Sequence, residues 1–166
     1  MNLNRAFLTV FHVGRLSPGS GTWGSLAALP MAWALHALGG PILLAVAAAV
    51  VFALGLRIVG VETAGDPDPD RSEIVIDEVV GQWIALLPVS AGAAMAGTSF
   101  LALWPGIVVA FFGFRFFDIF KWWPANVFDR RKDPTGVMVD DVFAGIWAAA
   151  AVAALAALAH LVLLPA

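Results

Sequence analysis

Charged side chains are absent from three long stretches of the chain, Leu16 to Leu56, Val79 to Phe114 and Val142 to Ala166, which run for 41, 36 and 25 residues. A hydrocarbon core about 30 Å thick is crossed by roughly 20 apolar residues in helix, so these runs hold about two, two and one crossings. Within them, Ala45 to Leu54 and Val142 to Leu164 are apolar on every face, whereas the strands of a membrane barrel would alternate with period two. The pattern predicts an all-α, polytopic membrane bundle of about four to five transmembrane or re-entrant helices. Turn formers break the first two runs near their midpoints, at Gly39-Gly40-Pro41 and Gly97-Thr98-Ser99. Five segments result: about Thr22 to Leu38, Pro41 to Val61, Val79 to Ala96, Phe100 to Lys121 and Val142 to Leu164. The first is short enough to be a tilted or re-entrant half-span.

Threaded alternately, the segments put all nine Lys and Arg on one side or at helix ends facing it, while the two tight turns and the C-terminus opposite carry no charge. The positive-inside rule makes the charged side cytoplasmic. Composition agrees: 61% hydrophobic and 13% charged residues, with mean hydropathy +0.88, exclude an ordinary soluble domain. One membrane-embedded domain over residues 1–166 is the simplest organisation, its residues 1–21 forming an interfacial and Gly-rich segment. Leu3, Phe7, Leu8, Val10 and Phe11 are expected to dip into headgroups beside Arg5 and Arg15. The net charge of -3 and the scattered basic residues leave no nucleic-acid footprint, and without cysteine there is neither disulfide framework nor thiol nucleophile.

Two carboxylate pairs stand where the third and fifth membrane segments begin, Asp77-Glu78 in Ile76-Asp-Glu-Val-Val-Gly-Gln-Trp83 and Asp140-Asp141 in Val139-Asp-Asp-Val-Phe-Ala-Gly-Ile-Trp147. Compensation of a helix N-terminus explains an acid in each pair, but adjacent acids point about 100° apart, so the second is not needed for it. Four such acids at one face would repel unless they share a cation. Oxygen-only ligands suit a hard ion, Mg²⁺ before Mn²⁺ or Ca²⁺. Arg115, Asp118 and Lys121 follow one another along nearly one face at the end of the fourth segment. They read either as interfacial snorkelling beside an aromatic belt or as a phosphate clamp. Ahead of the first segment, Leu16-Ser-Pro-Gly-Ser-Gly-Thr-Trp-Gly-Ser25 offers free amides, a positive helix end and the Thr22 and Ser25 hydroxyls, an anion cradle weaker than a P-loop because no Lys follows. Asp66-Pro-Asp-Pro-Asp70 reads as a stiff solvated loop, and His36 and His160 as packed or hydrogen-bonded helix residues. His12 keeps a minor claim on substrate, and Asp129 to Asp133 reads as a lipid anchor or headgroup grip.

Gly21-Thr-Trp-Gly-Ser25, Ile76-Asp-Glu-Val-Val-Gly-Gln-Trp83, Phe114-Arg-Phe-Phe-Asp-Ile-Phe-Lys121, Asp129-Arg130 and Met138-Val-Asp-Asp141 resemble, in this order, the blocks of the bacterial phosphatidylglycerophosphatase A family. The resemblance implies a magnesium-dependent membrane enzyme that hydrolyses phosphatidylglycerophosphate, its phospholipid substrate, to phosphatidylglycerol and phosphate. It puts functional positions at Asp77, Glu78, Asp118, Asp140 and Asp141, with Thr22 and Ser25 in the Gly-rich loop. Arg131-Lys-Asp-Pro-Thr-Gly136 departs from the family's frequent Gly-Gly pair.

On this reading Asp77, Glu78, Asp140 and Asp141 hold Mg²⁺, while Gly21, Thr22, Ser25, Arg115, Lys121 and Arg130 bind phosphate. Water oriented by a carboxylate and an Asp giving an aspartyl phosphate are both compatible as nucleophile. Rival functions are another lipid-headgroup phosphotransferase, whose spaced Asp, Gly and Ala-Arg signature is missing, and a small cation or proton-coupled transporter. The transporter needs ionisable groups at midmembrane depth, where only His36 and His160 stand.

Overall fold

The computed structural model describes residues 2–66 and 70–163. Helix α1 (Leu3–Leu8) leads through a 3-10 turn at Val13–Arg15 into α2 (Ser20–Glu62). There follow α3 (Ile76–Met95), a 3-10 turn at Phe100–Leu103, α4 (Trp104–Phe120), α5 (Ala125–Asp129) and α6 (Pro134–Leu163). No strand occurs among the described residues. Four helical stretches are long and apolar enough to cross a membrane: Ser20–Glu62, Ile76–Met95, Phe100–Phe120 and Pro134–Val162.

The first of these turns back on itself. Gly39 and Gly40 leave helical geometry, and Gly40 takes φ 64, ψ -157, a conformation open to residues without Cβ. Limbs 20–38 and 41–62 therefore form the expected hairpin. Gly24 lies against Val75 and Gly55 against Ile76, both where α3 starts, whereas His36 bonds Ser90 Oγ at 2.7 Å and packs on Phe100 at the opposite end. With 19 residues at 1.5 Å each, limb 20–38 is about 28 Å long, enough for a full span.

Helix α3 is the centre of the bundle, flanked by α2 and α6, with α4 packed on α6. Close approach depends on glycine: a Cβ at Gly145 would land on the Gly81 backbone, and one at Gly81 on the Phe114 ring and the Asp141 carbonyl. Small residues at crossings are how membrane helices gain packing without a hydrophobic driving force. Leu38, Ile42, Phe112 and Leu161 on the outside are exposed, as a lipid-facing surface requires.

Two expectations about boundaries are corrected. The last helix starts at Pro134 and not near Val142, because Asp133 is its N-cap: Asp133 Oδ1 accepts the Gly136 N–H at 2.8 Å, and Pro134 takes the first helical position. Of the five apolar residues expected in the headgroups, Leu3 and Phe11 are exposed and Phe7 is half-buried, while Leu8 and Val10 are buried in the protein core. The turn after α1 passes through left-handed Val10, Phe11 and His12, and the Leu8 carbonyl accepts the Val75 N–H at 2.9 Å, fixing the start of α3. In the Asp66 to Asp70 loop, residues 67–69 lie outside the described residues, and Asp66 pairs with Arg71 at 2.7 Å.

Candidate active site

The bundle gathers its acids at one end, where limb 20–38, α3 and α6 start and α4 stops. Asp77 and Glu78 are in the first turn of α3. Asp140 and Asp141, by contrast, are the seventh and eighth residues of α6, about 9 Å beyond its start. Compensation of the helix dipole, which fades within the first turn, does not explain them. All of Asp77, Asp118, Asp140 and Asp141 are buried. Burying carboxylates is costly unless cations or hydrogen bonds answer them, so the partners of each one define what the site can do.

They divide into two groups. Asp77, Glu78 and Asp141 each offer a carboxylate oxygen within 4.8 Å of the others. Asp118 and Asp140 instead belong to Lys121: its Nζ donates to Asp118 Oδ1 at 2.7 Å and to Asp140 Oδ2 at 2.6 Å, with Asp141 Oδ1 at 3.4 Å. Arg115 takes the other Asp118 oxygen, Nη1 to Oδ2 at 2.7 Å, and reaches Ser25 Oγ at 3.5 Å. Burial by itself would lower the Lys121 pKa, but Asp141, Asp118 and Asp140 outweigh it and hold the ammonium above its ordinary value. The Arg115, Asp118, Lys121 face thus points into the bundle, not out to the lipid interface. Its aromatic neighbours do form a belt outside, Phe117 against Trp122 and Trp122 against Trp147, with the Trp147 Nε1–H donating to the Trp123 carbonyl at 3.0 Å.

A cavity of about 100 Å³ opens above the acids, lined among others by Ser20, Asp77, Lys121, Arg131, Asp140 and Asp141. Of the Gly-rich segment, Ser20 reaches this wall. Gly21 lies just behind it, where a Cβ would fall on Glu78 Oε1 and within 3.1 Å of Arg115 Nη1. Ser25 is buried one turn deeper and spends its hydroxyl on the Gly21 carbonyl at 2.9 Å, and Thr22 is exposed away from the lining. Arg130 is exposed and off the cavity, whereas the next residue, Arg131, lines it and pairs with Asp133 at 2.6 Å. Ser20 is thus a cavity residue that sequence reasoning did not single out, while Asp129 and Arg131 reach the wall from the Asp129 to Asp133 stretch read as a lipid anchor or headgroup grip. Asp133 is held below the usual carboxylate range by the Arg131 side chain and the Gly136 N–H.

The chemistry of the donor set fits a hard divalent cation at Asp77, Glu78 and Asp141: three oxygen donors of one sign, on two helices, bordering a polar cavity. Glu78 Oε2 is buried without a hydrogen-bond partner among the described residues. Asp140, grouped with these three from sequence, turns its Oδ2 to Lys121 instead.

Comparison with known proteins yields a consistent answer. Residues 6–156 match the family model described as phosphatidylglycerophosphatase A. A phosphatidylglycerophosphatase A of Haemophilus influenzae is 38% identical over 139 residues, covering 83% of this chain and 79% of the relative. That of Escherichia coli is 33% identical, covering 76% of this chain and 67% of the relative. No solved structure matches.

Proposed function

The chain belongs to the phosphatidylglycerophosphatase A family, and from that premise we propose that its acid-lined cavity hydrolyses the terminal phosphomonoester of phosphatidylglycerophosphate at the cytoplasmic face of a bacterial inner membrane. The observation that carries this reading is the convergence of Asp77, Glu78 and Asp141 with Lys121 below a polar cavity at the charged end of an apolar bundle.

The substrate's acyl tails stay in the bilayer against the outer helix faces, leaving its phosphate to enter the cavity. Ser20 and the N-terminus of limb 20–38, with its positive helix end, receive phosphoryl oxygens on one wall, and Arg131 opposes their charge on the other. Asp77, Glu78 and Asp141 would hold Mg²⁺. That ion would supply charge neutralisation on the phosphoryl group as the P–O bond breaks. A water attacks phosphorus and yields its proton to a carboxylate of the cluster, the glycerol oxygen leaves and is protonated, and phosphatidylglycerol and inorganic phosphate result. Lys121 and Arg115 keep Asp118 and Asp140 oriented while this happens. The transporter alternative finds little support, since every ion pair among the described residues lies toward the charged end and the far end offers His36 with Ser90.

The test is phosphate release by purified protein in detergent from phosphatidylglycerophosphate, phosphatidic acid and a soluble phosphomonoester, with Mg²⁺ and with chelator. Chelator-sensitive release from the first lipid, abolished in Asp141→Asn, is expected. Folded, metal-bound protein that releases nothing from any of the three would overturn the reading.

A further inference from the structure

The Lys121 ammonium sits at the meeting point of four carboxylates: Asp140 Oδ2 at 2.6 Å, Asp118 Oδ1 at 2.7 Å, Asp141 Oδ1 at 3.4 Å and Asp129 Oδ1 at 4.0 Å. These come from α4, α5 and α6, so the point is a junction of three helices and not a chance surface pair. The backbone prepares it. Lys121 closes α4 in the left-handed conformation, φ 46, and its N–H caps the Phe117 carbonyl at 2.9 Å, a geometry that favours Gly or Asn unless the side chain is wanted there. Beside it lies the Asp77, Glu78 and Asp141 group. Asp141 belongs to both groups, the place that a bridging carboxylate has in phosphoryl-transfer sites with two metal ions about 4 Å apart.

We propose that Lys121 is a built-in cation standing in the second position of what would otherwise be a two-metal site, so that the chain takes one divalent ion where its acids alone would take two. Lys121 is on this account a positioning residue. It holds Asp118 and Asp140 beside the ion position without being exchanged, and Arg115 secures the far oxygen of Asp118. The inference rests on the proposed reading of Asp77, Glu78 and Asp141 as a metal site.

Mn²⁺ serves as probe, counted on the full chain in detergent by titration calorimetry and by electron paramagnetic resonance, where two ions about 4 Å apart couple and one does not. Wild type is expected to bind one Mn²⁺ per chain with an uncoupled spectrum, and Lys121→Arg likewise one. Lys121→Gln is expected to bind two, with a coupled spectrum and a melting temperature that rises more with added Mn²⁺ than that of wild type. Two ions in wild type or in Lys121→Arg would overturn the inference while leaving the phosphatase reading intact, and neither result depends on the stability of Lys121→Gln. A folded Lys121→Gln that still binds one ion would overturn it too. Wild type that binds none would overturn both readings.

Discussion

Gly145→Ala tests whether the crossing of α3 and α6 sets the spacing of the acids. Asp77 and Gly81 are one turn apart on α3, and Asp141 and Gly145 are one turn apart on α6, so the glycine contact lies directly below the carboxylates. A Cβ at Gly145 would stand 3.1 Å from both C and Cα of Gly81 and closer still to its carbonyl oxygen. Carbon contacts relax near 3.5 to 4.0 Å, and backbone cannot swing aside as a side-chain tip can, so the helices must part by roughly 1 Å. Overpacking of this kind costs about 1–3 kcal/mol, offset by about 1 kcal/mol from the better helix propensity of Ala, so the variant stays folded. The acids move with their helices, and a 1 Å misplacement in a catalytic group costs on the order of 100-fold in rate. Phosphate release at saturating substrate, measured across a Mg²⁺ titration, should show kcat down by that order and the Mg²⁺ midpoint shifted upward. Gly113→Ala is the matched control, since its Cβ would meet Ala148 Cβ at 3.6 Å, an ordinary contact on the neighbouring α4 and α6 interface. If Gly145→Ala keeps kcat and the Mg²⁺ midpoint within threefold of Gly113→Ala, the glycine crossing does not govern the site.

Gly21→Ala should leave the melting temperature nearly unchanged, because the new methyl group meets the flexible tip of Glu78, yet weaken Mn²⁺ binding by about tenfold as that carboxylate is pushed off the ion. Unaltered Mn²⁺ affinity would remove Glu78 from the ligand set. Asp133→Ala removes the N-cap of α6 and should lower stability by about 1 kcal/mol in thermal unfolding near neutral pH. Because the folded-state pKa of Asp133 is depressed, its contribution is fully present above the unfolded carboxylate value and fades as pH falls through the lower folded one. The gap between wild type and variant should therefore close in acid, and a gap that widens there contradicts the assignment.

The membrane helices were legible because lipid leaves the backbone one choice: an apolar run of sufficient length must be helical, and Gly39-Gly40 is where it can stop being so. The one-sided distribution of charge was legible for the same reason. The start of α6 was misjudged since charge, and not capping, was used to bound the run, although Asp133-Pro134 carries the cap and first-turn signature. Partition of the five acids between Lys121 and the Asp77, Glu78, Asp141 group depends on how α3, α4 and α6 are rotated about their own axes, and no periodicity within a single helix encodes that. Likewise Arg131, not Arg130, faces the cavity because the short α5 and the Asp133 cap orient the intervening turn, a matter of loop geometry invisible in the residue types.

The hairpin closed by Gly39 and Gly40 also bears on biogenesis. The two connections at the far end, residues 39–40 and 96–99, contain no charged residue, and neither does the sequence after Asp141. Driving an Asp or Arg through the bilayer centre costs about 2.5–3.5 kcal/mol apiece, and here no such residue has to make the journey. Limbs 20–38 and 41–62, and then α3 with α4, can each be inserted as a preformed pair from the side on which they are synthesised. With the charged end on the proposed cytoplasmic side, the carboxylates of the candidate site then never leave the aqueous compartment in which the ribosome releases them.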